Sequence, residues 1–125
     1  MKIYKTKWFH KWASRESLSD AALWVTAKEL EQGLADALGG YVYKKRIGLP
    51  GRGKRGGVRA LIAFKQSGKT FFMYGYPKNE RGNINKDELQ VLRLLAKQLL
   101  GYSEQDLTKA VIAGELIEID DDGKT

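Results

Sequence analysis

The sequence predicts an α+β fold, in which a small antiparallel β-sheet has helices packed on one face and leaves its other face partly open. Two observations indicate this class. Three segments with the alternating pattern of β-strands follow one another over 41–76, and segments with apolar residues at helical spacing precede and follow them. Because 125 residues are typical of one domain, we expect a single domain over 1–118, with the element order β-α-α-β-β-β-α-α.

The N-terminal part of the chain predicts one strand and two helices. Residues 1–7 alternate as in a short strand, and apolar residues at helical spacing follow over 7–16 and again over 17–33. Residue types that commonly cap helices stand near both starts. These candidate caps are Thr6 for the first helix and Ser19 or Asp20 for the second. The spacing of Trp8 and Trp12 assigns both side chains to the core.

Three strands are predicted in the centre of the chain, over 41–47, 57–66 and 69–76. The last two are joined by Gln-Ser-Gly-Lys, which is a tight hairpin signal. The first two are separated by the loop 48–57, which is too long for a tight hairpin but can still join antiparallel neighbours. Together these strands supply the predicted sheet.

Two more helices are predicted after the last central strand, over 85–101 and 103–115. The residues expected to begin them are Asn85 and Ser103. The segment 116–125 is acidic and is expected to fray. We therefore expect the domain to end in a flexible acidic tail over 119–125.

The composition narrows the chemistry that the chain can perform. There is no cysteine and only one histidine, His10, so disulfides, the usual zinc sites and the usual imidazole base are excluded. We expect neither a metal nor a cofactor, and any catalysis must use Lys, Arg, Tyr or carboxylates. No apolar run is long enough to span a membrane, and none follows the basic N-terminus as in a secretory signal. A cytoplasmic protein is therefore expected.

Positive charge is concentrated in the centre of the chain. Residues 41–78 contain ten Lys or Arg and no Asp or Glu, whereas the rest of the chain contains twelve basic and fifteen acidic residues. The net charge of +7 therefore arises in this block. A local basic block is typical of a surface that binds phosphate groups. The alternative is a solvated basic face without a ligand.

The glycine-rich loop 48–57 matches most of a nucleotide-binding P-loop, with Gly48 and Lys54 at the expected spacing. It departs from that motif at Arg55, where Ser or Thr would hold Mg²⁺, and a strand rather than a helix follows. A plain linker is also disfavoured, because flexible linkers rarely have so much charge beside core strands. We interpret the segment as a basic loop at a sheet edge that contacts a phosphate backbone.

Strand periodicity separates the two faces of the predicted sheet. Alternate residues from Val58 to Phe64 are assigned to the core, so Arg59 is expected to project from the open face. If Tyr74 and Tyr76 lie on the same open face, they stand beside Arg59 and suit unpaired bases and their phosphates. The alternative is that both tyrosines belong to the core. In the preceding strand, Lys44 and Arg46 share one face, and Tyr43 and Lys45 share the other.

Two segments, "LGGYVYKKRIGLPGRGKRGGVRALIAF" and "FFMYGYPKNERGNI", resemble the RelE/HigB family of toxins from toxin–antitoxin pairs, most of all its HigB-type branch. The resemblance covers nearly the whole chain and agrees with the element order. It implies a RelE-like fold of the microbial-ribonuclease type and a ribosome-dependent mRNA endonuclease that works in the ribosomal A site. The partners it implies are a cognate antitoxin with a helix-turn-helix or RelB-like DNA-binding part, the ribosome and mRNA.

The resemblance also implies site residues. The family's basic pair after an aromatic residue corresponds to Lys44 and Arg46, the arginine of the next strand to Arg59, and the base after the last strand to Lys78. Asn79 departs from the family pattern, because many relatives have a second base there. The residues expected to bind RNA are Lys45, Arg52, Lys54, Arg55, Tyr76 and Asn79.

The expected reaction is attack of a ribose 2′-hydroxyl on its own 3′ phosphorus. Arg59 is expected to stabilise the phosphorane, since a guanidinium matches two phosphoryl oxygens and stays charged. Lys44 is the expected base, because clustered cations favour the neutral form of a lysine. Lys78 or Arg46 would then protonate the leaving 5′-oxygen. Two other functions stay open, a ParE-like gyrase-inhibiting toxin and a non-catalytic RNA-binding module.

Overall fold

The fold was obtained as a computed structural model, which describes residues 1–49, 53–66, 68–78 and 83–120, with only the backbone of 53–56. In chain order the elements are β1 (Ile3–Thr6), α1 (Lys7–Arg15), α2 (Asp20–Glu31), β2 (Asp36–Ala37), β3 (Val42–Leu49), β4 (Gly53–Phe64), β5 (Thr70–Pro77), α3 (Lys86–Leu100), α4 (Glu104–Ile112) and β6 (Leu116–Ile119). No helix in these described ranges is long and apolar enough to cross a membrane.

The strands form one sheet in the order β2-β3-β4-β5-β1-β6. All neighbours are antiparallel except β1 and β5, which run parallel. The predicted α+β class with a mainly antiparallel sheet is therefore confirmed, and β3 and β5 lie close to their predicted ranges. The loop predicted over 48–57 is wrong in its extent, because β3 continues to Leu49 and β4 begins at Gly53, which pairs with Leu49.

Two strands were not predicted from the sequence, the short β2 and the C-terminal β6. In β6, Ile119 pairs with Ile3 of β1, and Leu116 and Ile119 are buried. The expectation that the chain frays from residue 116 is therefore wrong, because this segment completes one edge of the sheet. Of the expected flexible tail, residues 121–125 lie outside the described part of the chain.

The helices cover both faces of the sheet, so the expectation that they pack on one face only is wrong. One core cluster joins α1 and α2 to Val58, Ala60, Ile62 and Phe64 of β4. A second cluster joins α3 and α4 to Leu61 and Ala63 of the same strand. The physical reason is that β4 is apolar on both sides from Val58 to Phe64, except at Arg59. The face that seemed open is therefore covered at Leu61 and Ala63 by α3 and α4.

The helix starts follow the predicted capping chemistry. The Thr6 hydroxyl accepts a hydrogen bond from the Phe9 N–H at 3.1 Å, and the Ser19 hydroxyl accepts one from Ala22. Asn85 and Ser103 each form a capping box with an acidic residue three positions later. These caps provide hydrogen-bond acceptors for N–H groups that have no partner within the helix, and they fix the residue at which each helix begins.

Candidate functional site

The register of three adjacent strands places Arg46, Arg59 and Tyr76 in one row across the sheet. Arg46 of β3 is the direct partner of Arg59 on β4, which in turn is the direct partner of Tyr76 on β5. Direct partners in antiparallel strands extend their side chains to the same face. We call this set the Arg59 row. It lies on the α3 side of the sheet, because Leu61, two residues after Arg59, belongs to the core cluster beneath α3.

The next row along the same face contains Lys44. Lys44 is the direct partner of Leu61, and Leu61 is the direct partner of Tyr74. Lys44 is half-buried and Arg46 is exposed. The structure therefore brings Lys44, Arg46 and Arg59 to one face of the sheet.

Arg59 itself is buried rather than projecting from an open face, with 7% of its surface exposed. Within the described part of the chain, its Nη1 atom is buried without a hydrogen-bond partner. The three ion pairs among described residues lie elsewhere, at Lys5–Asp20, Lys45–Glu29 and Lys69–Glu104. Among the described residues, the guanidinium therefore has no counterion and its Nη1 atom has no hydrogen-bond partner, which is unfavourable for a buried charged group.

Tyr76 is also buried, with 3% of its surface exposed, and it packs in the α3-side core cluster. The expectation that its ring lies open for base stacking is therefore wrong, and the alternative of a core tyrosine is correct. Tyr74 is half-buried against the same cluster, and the two tyrosine ring centres are 6.5 Å apart. Tyr76 is thus a buried member of the Arg59 row, and its ring is not exposed for stacking on RNA.

Lys45 lies on the opposite face of the sheet. Its ammonium is 3.1 Å from the Glu29 carboxylate and donates a hydrogen bond to the Leu34 carbonyl at 2.6 Å. These contacts attach β3 to the end of α2. The structure therefore does not bring Lys45 to the Arg59 row, although it was expected to bind RNA.

The other predicted site residues belong, in sequence, to the glycine-rich segment 48–57 and to the end of β5. Lys78 is exposed just after β5, and its backbone N–H donates to the Gly57 carbonyl at 3.4 Å, two residues before Arg59. The predicted RNA-binding residues that fall outside the described residues are Arg52 and Asn79, together with the side chains of Lys54 and Arg55. Among the described residues outside β3 and β4, Lys78 is thus the one predicted cationic site residue that lies near the Arg59 row.

Position 57 requires glycine for a steric reason. A Cβ atom on Gly57 would lie 2.1 Å from the Ile47 carbonyl oxygen, which no side chain tolerates. The register between β3 and β4 shifts next to this contact, between Ile47 and Leu49. The close approach of the β3 and β4 backbones at Gly57 therefore helps to set the register in which Arg59 pairs with Arg46.

The position of Trp8 also differs from its prediction. Trp12 is buried in the core as expected, but Trp8 is 44% exposed. The centre of its ring lies 4.5 Å from the centre of the Tyr74 ring. Tyr74 belongs to the row next to the Arg59 row. Helical spacing alone could not reveal this, because the exposure of Trp8 in the first turn of α1 depends on where β1 stops pairing with β5.

Taken together, these contacts define a small α+β protein with a cationic sheet site that lacks a counterion among the described residues. No group of three or more His, Cys, Asp or Glu that could hold a metal ion occurs in those residues. No curated protein matches the sequence significantly. A family model described as the RelE toxin of the RelE/RelB toxin–antitoxin system matches residues 1–119. The chain therefore belongs to the RelE family and is a toxin of a toxin–antitoxin system, with a RelB-type antitoxin as its cognate partner.

Proposed function

We propose that this toxin is a ribosome-dependent mRNA endonuclease, in which Arg59 binds the phosphate that is cut. The observation that supports this most strongly is the buried Arg59 guanidinium without a counterion among the described residues. A phosphodiester supplies the missing charge and the missing hydrogen-bond acceptors together. Such a nuclease would act in the cytoplasm, where ribosomes and message are found.

The reaction would begin with loss of a proton from the ribose 2′-hydroxyl to Lys44, acting as the base. The 2′-oxygen would then attack the adjacent phosphorus, and the bond from phosphorus to the 5′-oxygen of the next nucleotide would break. Arg59 would stabilise the charge on the phosphorane, while Lys78 or Arg46 donates a proton to the departing 5′-oxygen. The products would be a 2′,3′-cyclic phosphate on the upstream fragment and a 5′-hydroxyl on the downstream fragment.

Dependence on the ribosome follows from the residue types available. His10, the one histidine of the sequence, is not a member of the Arg59 row or of the Lys44 row, and lysine and arginine are poor proton-transfer groups at neutral pH. Alignment of the 2′-oxygen with the bond that breaks can lower the activation free energy of cleavage by a large amount. A message held in the A site would receive that alignment from the ribosome. We therefore expect little cleavage of free RNA and efficient cleavage of translated message.

The experiment that tests this function is inducible expression of the toxin, followed by mapping of message 5′ ends across the transcriptome. The wild-type toxin should create new 5′-hydroxyl ends within translated regions. Arg59→Ala should reduce them by about two to three orders of magnitude, the usual effect of removing one charge-stabilising group. The matched control is Lys28→Ala, which removes an exposed cation from α2 on the other side of the sheet and should leave the ends unchanged.

Two results would refute the proposal. One is an Arg59→Ala variant that produces as many new message ends as the wild type. The other is toxicity without new ends, particularly if DNA supercoiling changes instead, which would indicate a gyrase-inhibiting toxin.

A further inference from the structure

We propose that Trp8 is an RNA-binding residue that stacks on an unpaired nucleobase beside the cleaved phosphate. This inference deepens the proposed function and rests on it. It concerns a helix that has no part in the predicted catalytic set, and it starts from the exposure of a large aromatic side chain. Aromatic side chains of this size usually bury most of their surface in a folded protein, so an exposed one beside a binding site is informative.

The position of Trp8 follows from the unequal lengths of two parallel strands. β1 pairs with β5 only as far as Lys5, opposite Phe72, and the Thr6 hydroxyl then donates to the Met73 carbonyl at 3.0 Å. The chain turns into α1 at this point, so β1 does not accompany β5 beyond Met73. Trp8 occupies the first turn of α1 and lies over Tyr74, with ring centres 4.5 Å apart and planes inclined by 30°.

Trp8 is held in place by two aromatic neighbours, Tyr74 and Trp12. Its ring also stacks on Trp12, with centres 5.9 Å apart and planes inclined by 16°. Trp12 is buried and rests against Gly75, where a Cβ atom would lie only 2.3 Å from the Trp12 ring. The Trp8 ring therefore has a rigid support, while 44% of the residue faces solvent. A pre-positioned ring of this kind loses little entropy when a base stacks on it.

The aromatic contacts continue from Trp8 to the Arg59 row. Trp8 contacts Tyr74, the Tyr74 and Tyr76 ring centres are 6.5 Å apart, and Tyr76 is the direct strand partner of Arg59. A strand of RNA that binds Arg59 through one phosphate and continues along Tyr76 and Tyr74 would bring a base to Trp8. Because Tyr76 is buried, Trp8 takes the stacking role that the sequence had suggested for that tyrosine.

The charge around Trp8 favours RNA over an apolar partner. Lys7 precedes Trp8, and Lys11 lies one turn after it on the same side of α1; both are exposed. The first turn of α1 has no acidic residue, and neither lysine forms an ion pair with another described residue. Alternation of an aromatic ring with ammonium groups matches the alternation of bases and phosphates in single-stranded RNA.

The first test is cleavage of ribosome-bound message by variants of the full toxin. Trp8→Ala should raise the toxin concentration needed for half-maximal cleavage by about ten- to a hundredfold, which corresponds to loss of one base–aromatic stack. Trp8→Phe should recover most of this loss, because phenylalanine keeps a ring without the indole N–H. The matched control is Val25→Ala, which removes an exposed apolar side chain from α2 and should leave cleavage unchanged.

The second test measures stacking directly, in a background that cannot cut. In an Arg59→Ala toxin, a single-stranded RNA oligonucleotide should quench part of the tryptophan fluorescence, and a duplex of the same sequence should not. The quenching should disappear when Trp8→Phe is added, because Trp12 and Trp24 are largely buried. This readout would not respond to a merely structural role of Trp8.

The two proposals fail in different ways. If the wild type cuts message and Trp8→Ala cuts it equally well, the role of Trp8 is refuted and the nuclease function stands. If the wild type cuts no message, the nuclease function is refuted, and quenching by single-stranded RNA still decides whether Trp8 binds a base. Unchanged cleavage together with weakened antitoxin binding would overturn the inference, since Trp8 would then be a protein contact.

Discussion

Replacing Arg59 with methionine should make this toxin more stable and nearly inactive at the same time. Methionine fills a similar volume with apolar atoms and removes a guanidinium whose Nη1 atom is buried without a partner among the described residues. An unsatisfied buried donor costs about 1–3 kcal/mol, and an unpaired buried charge costs more. We therefore expect the free energy of unfolding to rise by about 1–3 kcal/mol in Arg59→Met. For a chain of this length that corresponds to a rise in Tm of about 3–6 °C per kcal/mol.

The assay is urea unfolding of the free toxin, paired with cleavage of ribosome-bound message. Cleavage should fall by about two to three orders of magnitude, since the variant has lost its phosphate-binding group. Arg46→Met is the matched control for stability, because Arg46 is the exposed strand partner of Arg59 and its loss should change stability by no more than about 0.5 kcal/mol. An Arg59→Met variant less stable than the wild type would contradict the reasoning, because Arg59 would then have a stabilising partner in the free protein.

Three further predictions concern the scaffold around the site. Asp20→Asn should destabilise the fold by about 1–2 kcal/mol in urea unfolding, because it removes the carboxylate that now lies 2.7 Å from the buried Lys5 ammonium. The effect is limited to this size because solvent reaches Asp20. Unchanged stability would argue against a role for this ion pair. Gly75→Ala should cost about 1–3 kcal/mol, since its Cβ would lie 2.3 Å from the Trp12 ring, and a neutral effect would mean that the ring can move. The pKa of Asp106 is lowered from 3.8 by the backbone N–H at the start of α4. The Asp106 contribution to stability should therefore be present at pH 7 and lost as the pH falls below 3.8, so Asp106→Ala should be less stable than the wild type at pH 7 but not in strong acid.

Local signals in the sequence predict much of this fold. The central strands follow from alternation, and helix starts follow from residues such as Thr6 and Asn85, whose caps depend only on neighbours in the chain. The strand β6 was missed, because its partner β1 stands at the other end of the sequence. A four-residue strand that is followed by acidic residues has no local feature that indicates such a distant pairing.

For the candidate site, alternation predicted which side of a strand each cation occupies more accurately than it predicted exposure. Alternation correctly placed Lys44 and Arg46 on one side of β3 and Lys45 on the other. It could not show that the Arg59 side of β4 is also covered, because Leu61 and Ala63 fit either a covered or an exposed face. The ion pair that engages Lys45 joins two distant elements and leaves no pattern in the sequence. Burial of Arg59 is thus a property of the tertiary structure alone.

The central claim is that the Arg59 guanidinium receives the phosphodiester that the toxin cuts. The most direct test is a structure of the toxin on a ribosome whose A-site message carries a 2′-O-methyl group at the cleavage position, so that the nucleophile is blocked. The account predicts guanidinium nitrogens of Arg59 about 2.7–2.9 Å from two oxygens of the uncut phosphate. A message whose phosphates all lie beyond hydrogen-bond distance of Arg59 would contradict it.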